Sequence, residues 1–193
     1  SETIMRILDV IMAVPGIAMA AVSVLVFGRT LSKSGNTFGL VVVIICSIAF
    51  VYIPQLSRIV RANVMAAYGE DYVRAVIVSG ARAPWILTKH VMRNTAAPVL
   101  VFATVLVADA IILEASLTFI GSGLQATTVA TWGNVLSEAS SNLSVLLGKW
   151  WTAFFPGLFI MITVLCLNIL SEGITDAMVA APASAAVAQD DKD

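Results

Sequence analysis

Four runs of apolar residues, at about 7–27, 38–59, 96–120 and 150–170, are each long enough to cross a bilayer. A helix rises about 1.5 Å per residue, so roughly 20 residues cover a hydrocarbon core about 30 Å thick. Lipid offers backbone N–H and C=O groups no partner, and each run must therefore be helical. An all-α, polytopic membrane bundle is expected. The balance of the 193 residues agrees, with 59% hydrophobic, 12% charged and a mean hydropathy of +0.95, against about 25% charged in an ordinary soluble domain.

Orientation follows from the basic residues. Arg58, Arg61, Arg74, Arg82, Lys89 and Arg93 are six of the eleven, and all lie in or beside the segment between the second and third runs. Positive charge marks the cytoplasmic side, so this segment is placed inside. The first run then starts inside near Arg6, segments 28–37 and 121–149 lie outside, and the tail lies inside; eight of the eleven basic residues fall on the inner side. Their arrangement is a topology signal and not a nucleic-acid footprint, so the expected partner is the lipid bilayer, with no nucleic acid. Cys46 and Cys166 each sit inside an apolar run and read as packing residues without a redox role. Residues 1–9 lack the basic start, short apolar core and cleavage site of a signal peptide.

The segment 68–94 is the one part built for water. Glu70 and Asp71 suit the first turn of a helix, where negative charge meets the positive end of the dipole. Gly80 is placed to end that helix by taking the left-handed conformation, and Pro84 to begin a second, where its missing N–H costs nothing. Two short helices joined at a bend are predicted.

Within the spans, Pro15 is expected to kink the first near its middle. Asp9, three residues from Arg6, reads as one half of a surface or interfacial ion pair, with a transport role as the alternative. The third run carries Asp109 and Glu114. An ionised group near the bilayer centre costs roughly 2.5 to 3.5 kcal/mol and should face protein or water. Five residues apart, the two lie about 140° apart around a helix, so they do not make one paired site. Asp109, about 20 Å along the span from Ala96, either lines a translocation path, facing a peptide ammonium, or makes a structural hydrogen bond to another helix. Glu114 lies near the outer interface and is, with Asp109, a candidate for the translocation path.

Beyond the break at Gly121-Ser122-Gly123, Thr131 can cap a short helix whose Trp132, Val135, Leu136 and Ala139 share one apolar face. It reads as an interfacial helix or a re-entrant scoop on the outer side. Trp150 and Trp151 mark the outer interface of the fourth span, a kink is expected at Pro156-Gly157, and the tail 181–193 is expected to be disordered.

The segment 68–94 also carries a resemblance. Its spacing is similar to the cytoplasmic loop of ABC importer permeases, with Glu-Ala-Ala, three residues, Gly, nine residues, then Ile-x-Leu-Pro; the slots here hold Arg74-Ala75-Val76, then Gly80, then His90-Val91-Met92-Arg93. Ala75 and Gly80 match strictly, while Arg74 stands in place of the glutamate and Arg93 in place of the proline. Longer runs narrow the family: residues 113–125 (Leu-Glu-Ala-Ser-Leu-Thr-Phe-Ile-Gly-Ser-Gly-Leu-Gln), 132–138 (Trp-Gly-Asn-Val-Leu-Ser-Glu), 155–158 (Phe-Pro-Gly-Leu) and 168–177 resemble the second permease subunit of dipeptide, oligopeptide and nickel importers. Met5-Arg6-Ile7-Leu8-Asp9-Val10 with Ala13-Val14-Pro15 fits that subunit's third transmembrane helix.

The resemblance implies a type I importer transmembrane domain over 1–180 with a coupling loop at 61–94, and four of the family's about six spans in this sequence, two N-terminal helices being absent. It implies that Arg74, Ala75, Val76, Gly80, Ala81 and His90 contact an ATPase subunit, and that Trp132, Val135 and Leu136 lie on the binding-protein side. The implied partners are a homologous permease in a heterodimer, two ATP-binding subunits or one fused ATPase, and an extracytoplasmic substrate-binding protein. The implied activity is import of di- or oligopeptides by alternating access in the inner membrane of a prokaryote, with nickel or nickel-chelate import as the runner-up. ATP and Mg would be held by the partner subunits: Gly148-Lys149 lacks the upstream glycine of a phosphate loop, and no His, Cys or carboxylate spacing suggests a metal or other cofactor in this chain. A channel or scaffold subunit without energy coupling is the alternative from another class. An enzyme is not expected, since the spans offer no nucleophile beside a base.

Overall fold

The computed structural model describes residues 2–33, 35–124, 129–142 and 144–190, with side chains described except at 29–33, 175 and 177–190. Its regular elements are helices: α1 (Glu2–Met12), α2 (Gly16–Lys33), α3 (Thr37–Gly69), α4 (Asp71–Val78), α5 (Ala83–Ile86), a π-turn (Leu87–Val91), α6 (Met92–Phe119), α7 (Trp132–Ser141) and α8 (Trp151–Asp190). Among the described residues three stretches are long and apolar enough to cross a bilayer, Thr37–Gly69, Ala83–Phe119 and Trp151–Ile174; α1 and α2 make a fourth if the pair is one broken span. Only 6% of the apolar window of the last stretch is buried within the chain. Its sides are apolar enough to need lipid or a protein neighbour.

The kink expected at Pro15 is instead a break of 85° between α1 and α2. Proline supplies no N–H, and it disfavours helical geometry at the residue before it, so Ala13 and Val14 leave the helix in a turn and a bend. The loop expected at 61–94 is also largely helical. α3 runs through Pro54 to Gly69, and α5, the π-turn and α6 follow one another without interruption from Ala83, so the second predicted short helix is the beginning of a span. α8 passes through Pro156 and Gly157 as one helix. It continues over 181–190, where the sequence reading expected a disordered tail; alanine, frequent there, is the best helix former. Residues 191–193 lie outside the described residues.

The chain divides into two units, residues 1–54 with 106–166 and residues 55–105 with 167–193. In the first, Ala20 packs with Val51 and Leu117, and Val24 with Leu40 and Ile44. Gly16, Ala20, Val24 and Gly28 recur every four residues on α2. A side chain at Gly16 would come within 2.8 Å of Val51 Cγ1, and one at Gly28 within 2.9 Å of Leu40 Cδ1. This stripe lets α3 approach closely, as small residues do between membrane helices. In the second unit Val73, Ile86, Val91 and Ala67 form the core, with Val64, Val76 and Ala81 against it. There Ser171, 3% exposed on α8, donates to the Val101 carbonyl at 3.1 Å and meets Thr104 Oγ1 at 2.7 Å.

Candidate functional site

The second unit holds the elbow. Glu70 is the residue before α4 and has extended backbone (φ −73°, ψ 145°); Asp71 opens the first turn, where its charge suits the helix dipole. α4 closes at Gly80, whose φ is +81°. Gly80 N donates to the Ile77 carbonyl at 3.0 Å and Ala81 N to the Val76 carbonyl at 3.4 Å. Ala81 and Val76 meet on the same core, which is the apolar clasp that accompanies a left-handed helix end. Arg82 then extends the chain and Pro84 stands in the first turn of α5. The predicted helix, bend and second helix start are all found at these positions.

What folds the elbow against its own base is a set of residues the sequence reading did not single out. Val73 and Val91 are fully buried and Ile86 nearly so, and the Asn94 amide donates to the Tyr72 hydroxyl at 2.9 Å. Burial of these apolar side chains contributes roughly 1.5–3 kcal/mol each. Their signal in the sequence was present but weak, because they are few and spread over α4, α5 and the π-turn.

With Val73 inward, α4 turns Arg74, Ala75, Ile77 and Val78 outward, and Val76 is half-buried. Val78 is 87% exposed and Ile77 48%. Arg74 reaches Asp71 at 3.8 Å, a surface contact of two exposed groups that contributes little. Gly80 is exposed and Ala81 half-buried. His90 lies in the π-turn, its ring edge-on to Trp85 with centroids 4.9 Å apart and an angle of 62°, and its Nε2 is buried without a hydrogen-bond partner among the described residues. The elbow therefore presents Arg74, Ala75 and Gly80 on its surface and places His90 partly inside.

The first unit holds the other candidate residues. Asp109 is exposed on α6 and lies within electrostatic reach of the Tyr52 hydroxyl on α3. Glu114 is half-buried and accepts a hydrogen bond from Thr118 Oγ1 at 2.8 Å, one turn further along α6. The two carboxylates are thus held apart, as their spacing requires. α6 ends at Gly121, φ +78°, with Ser122 N donating to the Leu117 carbonyl at 2.9 Å.

α7 lies against this end. Thr131 caps it, its Oγ1 accepting from Asn134 N at 3.2 Å, as the sequence predicts. A Cβ at Gly133 would come within 2.5 Å of the Ala115 carbonyl oxygen, so the missing side chain is what allows α7 to touch α6. The buried face is Gly133, Asn134 and Ala139, not the full apolar stripe expected. Trp132 and Val135 are exposed; Trp132 stacks on Phe159 at 4.9 Å, and Leu136 shares a groove with Ile112, Phe119 and Ile160. Of the run 113–125, Gln125 lies outside the described residues. Among the described residues no three His, Cys, Asp or Glu gather as metal ligands would.

Comparison with known proteins agrees over nearly the whole chain. Residues 1–181 match the family described as binding-protein-dependent transport system inner membrane component. The chain is 34% identical over 175 residues to the dipeptide transport system permease protein DppC of Escherichia coli (strain K12), covering 91% of this chain and 54% of that protein. It is 34% identical over 173 residues to a probable peptide ABC transporter permease protein of Sinorhizobium fredii, covering 90% and 55%. It is also 34% identical over 175 residues to the glutathione transport system permease protein GsiD of Shigella flexneri, covering 91% and 53%. The chain spans about half the length of the curated relatives it matches.

Proposed function

Because the chain belongs to the family of binding-protein-dependent transport system inner membrane components, we propose that it serves as a permease subunit of an ATP-driven importer of di- or oligopeptides. The peptide cargo is supported by the names of the similar dipeptide, peptide and glutathione permeases. In this reading the chain pairs with a homologous permease, receives cargo from an extracytoplasmic binding protein, and takes its energy from two ATP-binding subunits or one fused ATPase. It hydrolyses nothing itself; ATP and Mg belong to those partners. The elbow and the C-terminal tail face the cytoplasm, and α7 faces the binding protein.

The observation that carries the reading is the outward face of α4. A segment meant only for water would not hold Val78 at 87% and Ile77 at 48% exposure on the outward face of a helix clasped at its end. Such a face suits the groove of a protein partner, with Arg74 and Ala75 beside it. A stroke of the ATPase would reach the membrane through α5 and α6, because these run on from the elbow as continuous helix, and would drive alternating access. Asp109 faces the translocation path in the assembled pair, since a carboxylate exposed on a span costs too much against lipid, and there it can meet a peptide ammonium.

Val78→Asp tests the proposal. The side chain is exposed, so the thermal midpoint of the purified chain should hold, while co-purification of ATPase subunits and uptake of labelled dipeptide should fall at least tenfold. Unchanged ATPase association in this variant would refute the docking role. Labelled nickel taken up in place of dipeptide would move the cargo assignment to the metal importers, and a purified chain with no ATPase beside it would favour a channel or scaffold.

A further inference from the structure

We infer that the stripe formed by Trp85, Lys89 and Arg93 binds the phosphate headgroup of an anionic phospholipid. Side chains four residues apart drift by about 40° per step on an α-helix, and the wider turn over Leu87–Val91 reduces that drift. The three therefore stack along one side of the rod that begins at Ala83. Trp85 is 48% exposed and both cations are exposed, whereas Ile86, Val91 and Thr95 turn inward on the opposite side. The Trp85 and His90 rings meet at 62° with centroids 4.9 Å apart.

Charge complementarity selects the occupant. Among the described residues neither Lys89 nor Arg93 has an acidic partner, the ion pair of the elbow being Arg74 with Asp71. Lys89 and Arg93 stand just before the apolar run that starts at 96, with the Trp85 indole on the same side. A guanidinium binds phosphate oxygens in pairs and an ammonium adds a point charge, while tryptophan settles at the headgroup level. Anionic phospholipid of the inner leaflet supplies that chemistry; a zwitterionic headgroup, with its own cation, does not. The inference rests on the inner-face orientation proposed above.

The test uses the complex as purified, reconstituted in phosphatidylcholine nanodiscs doped with equal amounts of brominated phosphatidylglycerol or brominated phosphatidylcholine. The share of tryptophan quenching that disappears in Trp85→Phe reports this site. We expect brominated phosphatidylglycerol to quench Trp85 more strongly, and its preference to fall about fivefold in each of Lys89→Gln and Arg93→Gln. Equal quenching by the two lipids overturns the proposal. So does quenching by neither, which would mean that a protein subunit covers the stripe. Should the variants fail to assemble, salt on the unmodified complex screens the same charges, and a lipid preference indifferent to salt is equally fatal. ATPase co-purification from the same preparations reports the coupling role separately, so failure of one reading is not mistaken for failure of the other.

Discussion

Two glycines decide local geometry for different reasons. Gly80 sits at φ +81° with nothing within 4 Å of where a Cβ would be, so its requirement is purely one of backbone. A non-glycine residue there costs roughly 1–2 kcal/mol, and a β-branched one is worst. Gly80→Val is expected to lower dipeptide uptake and the thermal midpoint together, and Gly80→Asn, whose side chain tolerates this conformation, to retain more of both. Gly133 has no such φ; its constraint is contact, with the Ala115 oxygen 2.5 Å and Thr118 Cβ 2.9 Å from an added methyl. Overpacking costs about 1–3 kcal/mol, so thermal unfolding of Gly133→Ala should show a lower midpoint while the elbow and its ATPase association stay intact.

The helices differ in what holds them. α7 has ten residues, too few to be stable in isolation, and depends on its cap and its seat. Thr131→Ala removes the side-chain acceptor for Asn134 N and should destabilise α7 by about 1 kcal/mol, with Thr131→Ser restoring it; amide hydrogen exchange over 132–141 measures this directly. α6 and α8 meet through Ser171, Thr104 and the Val101 carbonyl. Hydrogen bonds of this kind between membrane helices average about 0.6 kcal/mol, so Ser171→Ala should shift the unfolding midpoint only slightly. The breaks are less legible from composition. Pro15 announced a perturbation, but whether a proline kinks a span or splits it by 85° depends on whether neighbours re-satisfy the freed backbone. Pro54, by contrast, is absorbed within α3.

Across the chain, the proposed orientation has a direct check. With Cys46 and Cys166 replaced by alanine, a cysteine at the exposed Ser79 should react with an impermeant maleimide only after the membrane is opened, and one at Glu138 should react from outside in intact cells. The reverse pattern would invert the topology. The three long apolar spans, the helix end at Gly80, the second start at Pro84 and the cap at Thr131 were readable in the residues, because each follows from local chemistry: apolar length against bilayer thickness, φ freedom, a missing N–H, a hydroxyl before an apolar turn; the fourth span expected at 7–27 is instead a pair of helices broken by 85°. Other features needed the folded chain. That Val73, Ile86 and Val91 close the elbow, that Gly16 and Gly28 admit α3, that Gly133 rather than Trp132 seats α7, and that Ala83 already begins a span all depend on which surfaces meet. In a sequence this apolar, hydrophobicity separates membrane from water but does not distinguish the face that packs on another helix from the face left for lipid or a partner.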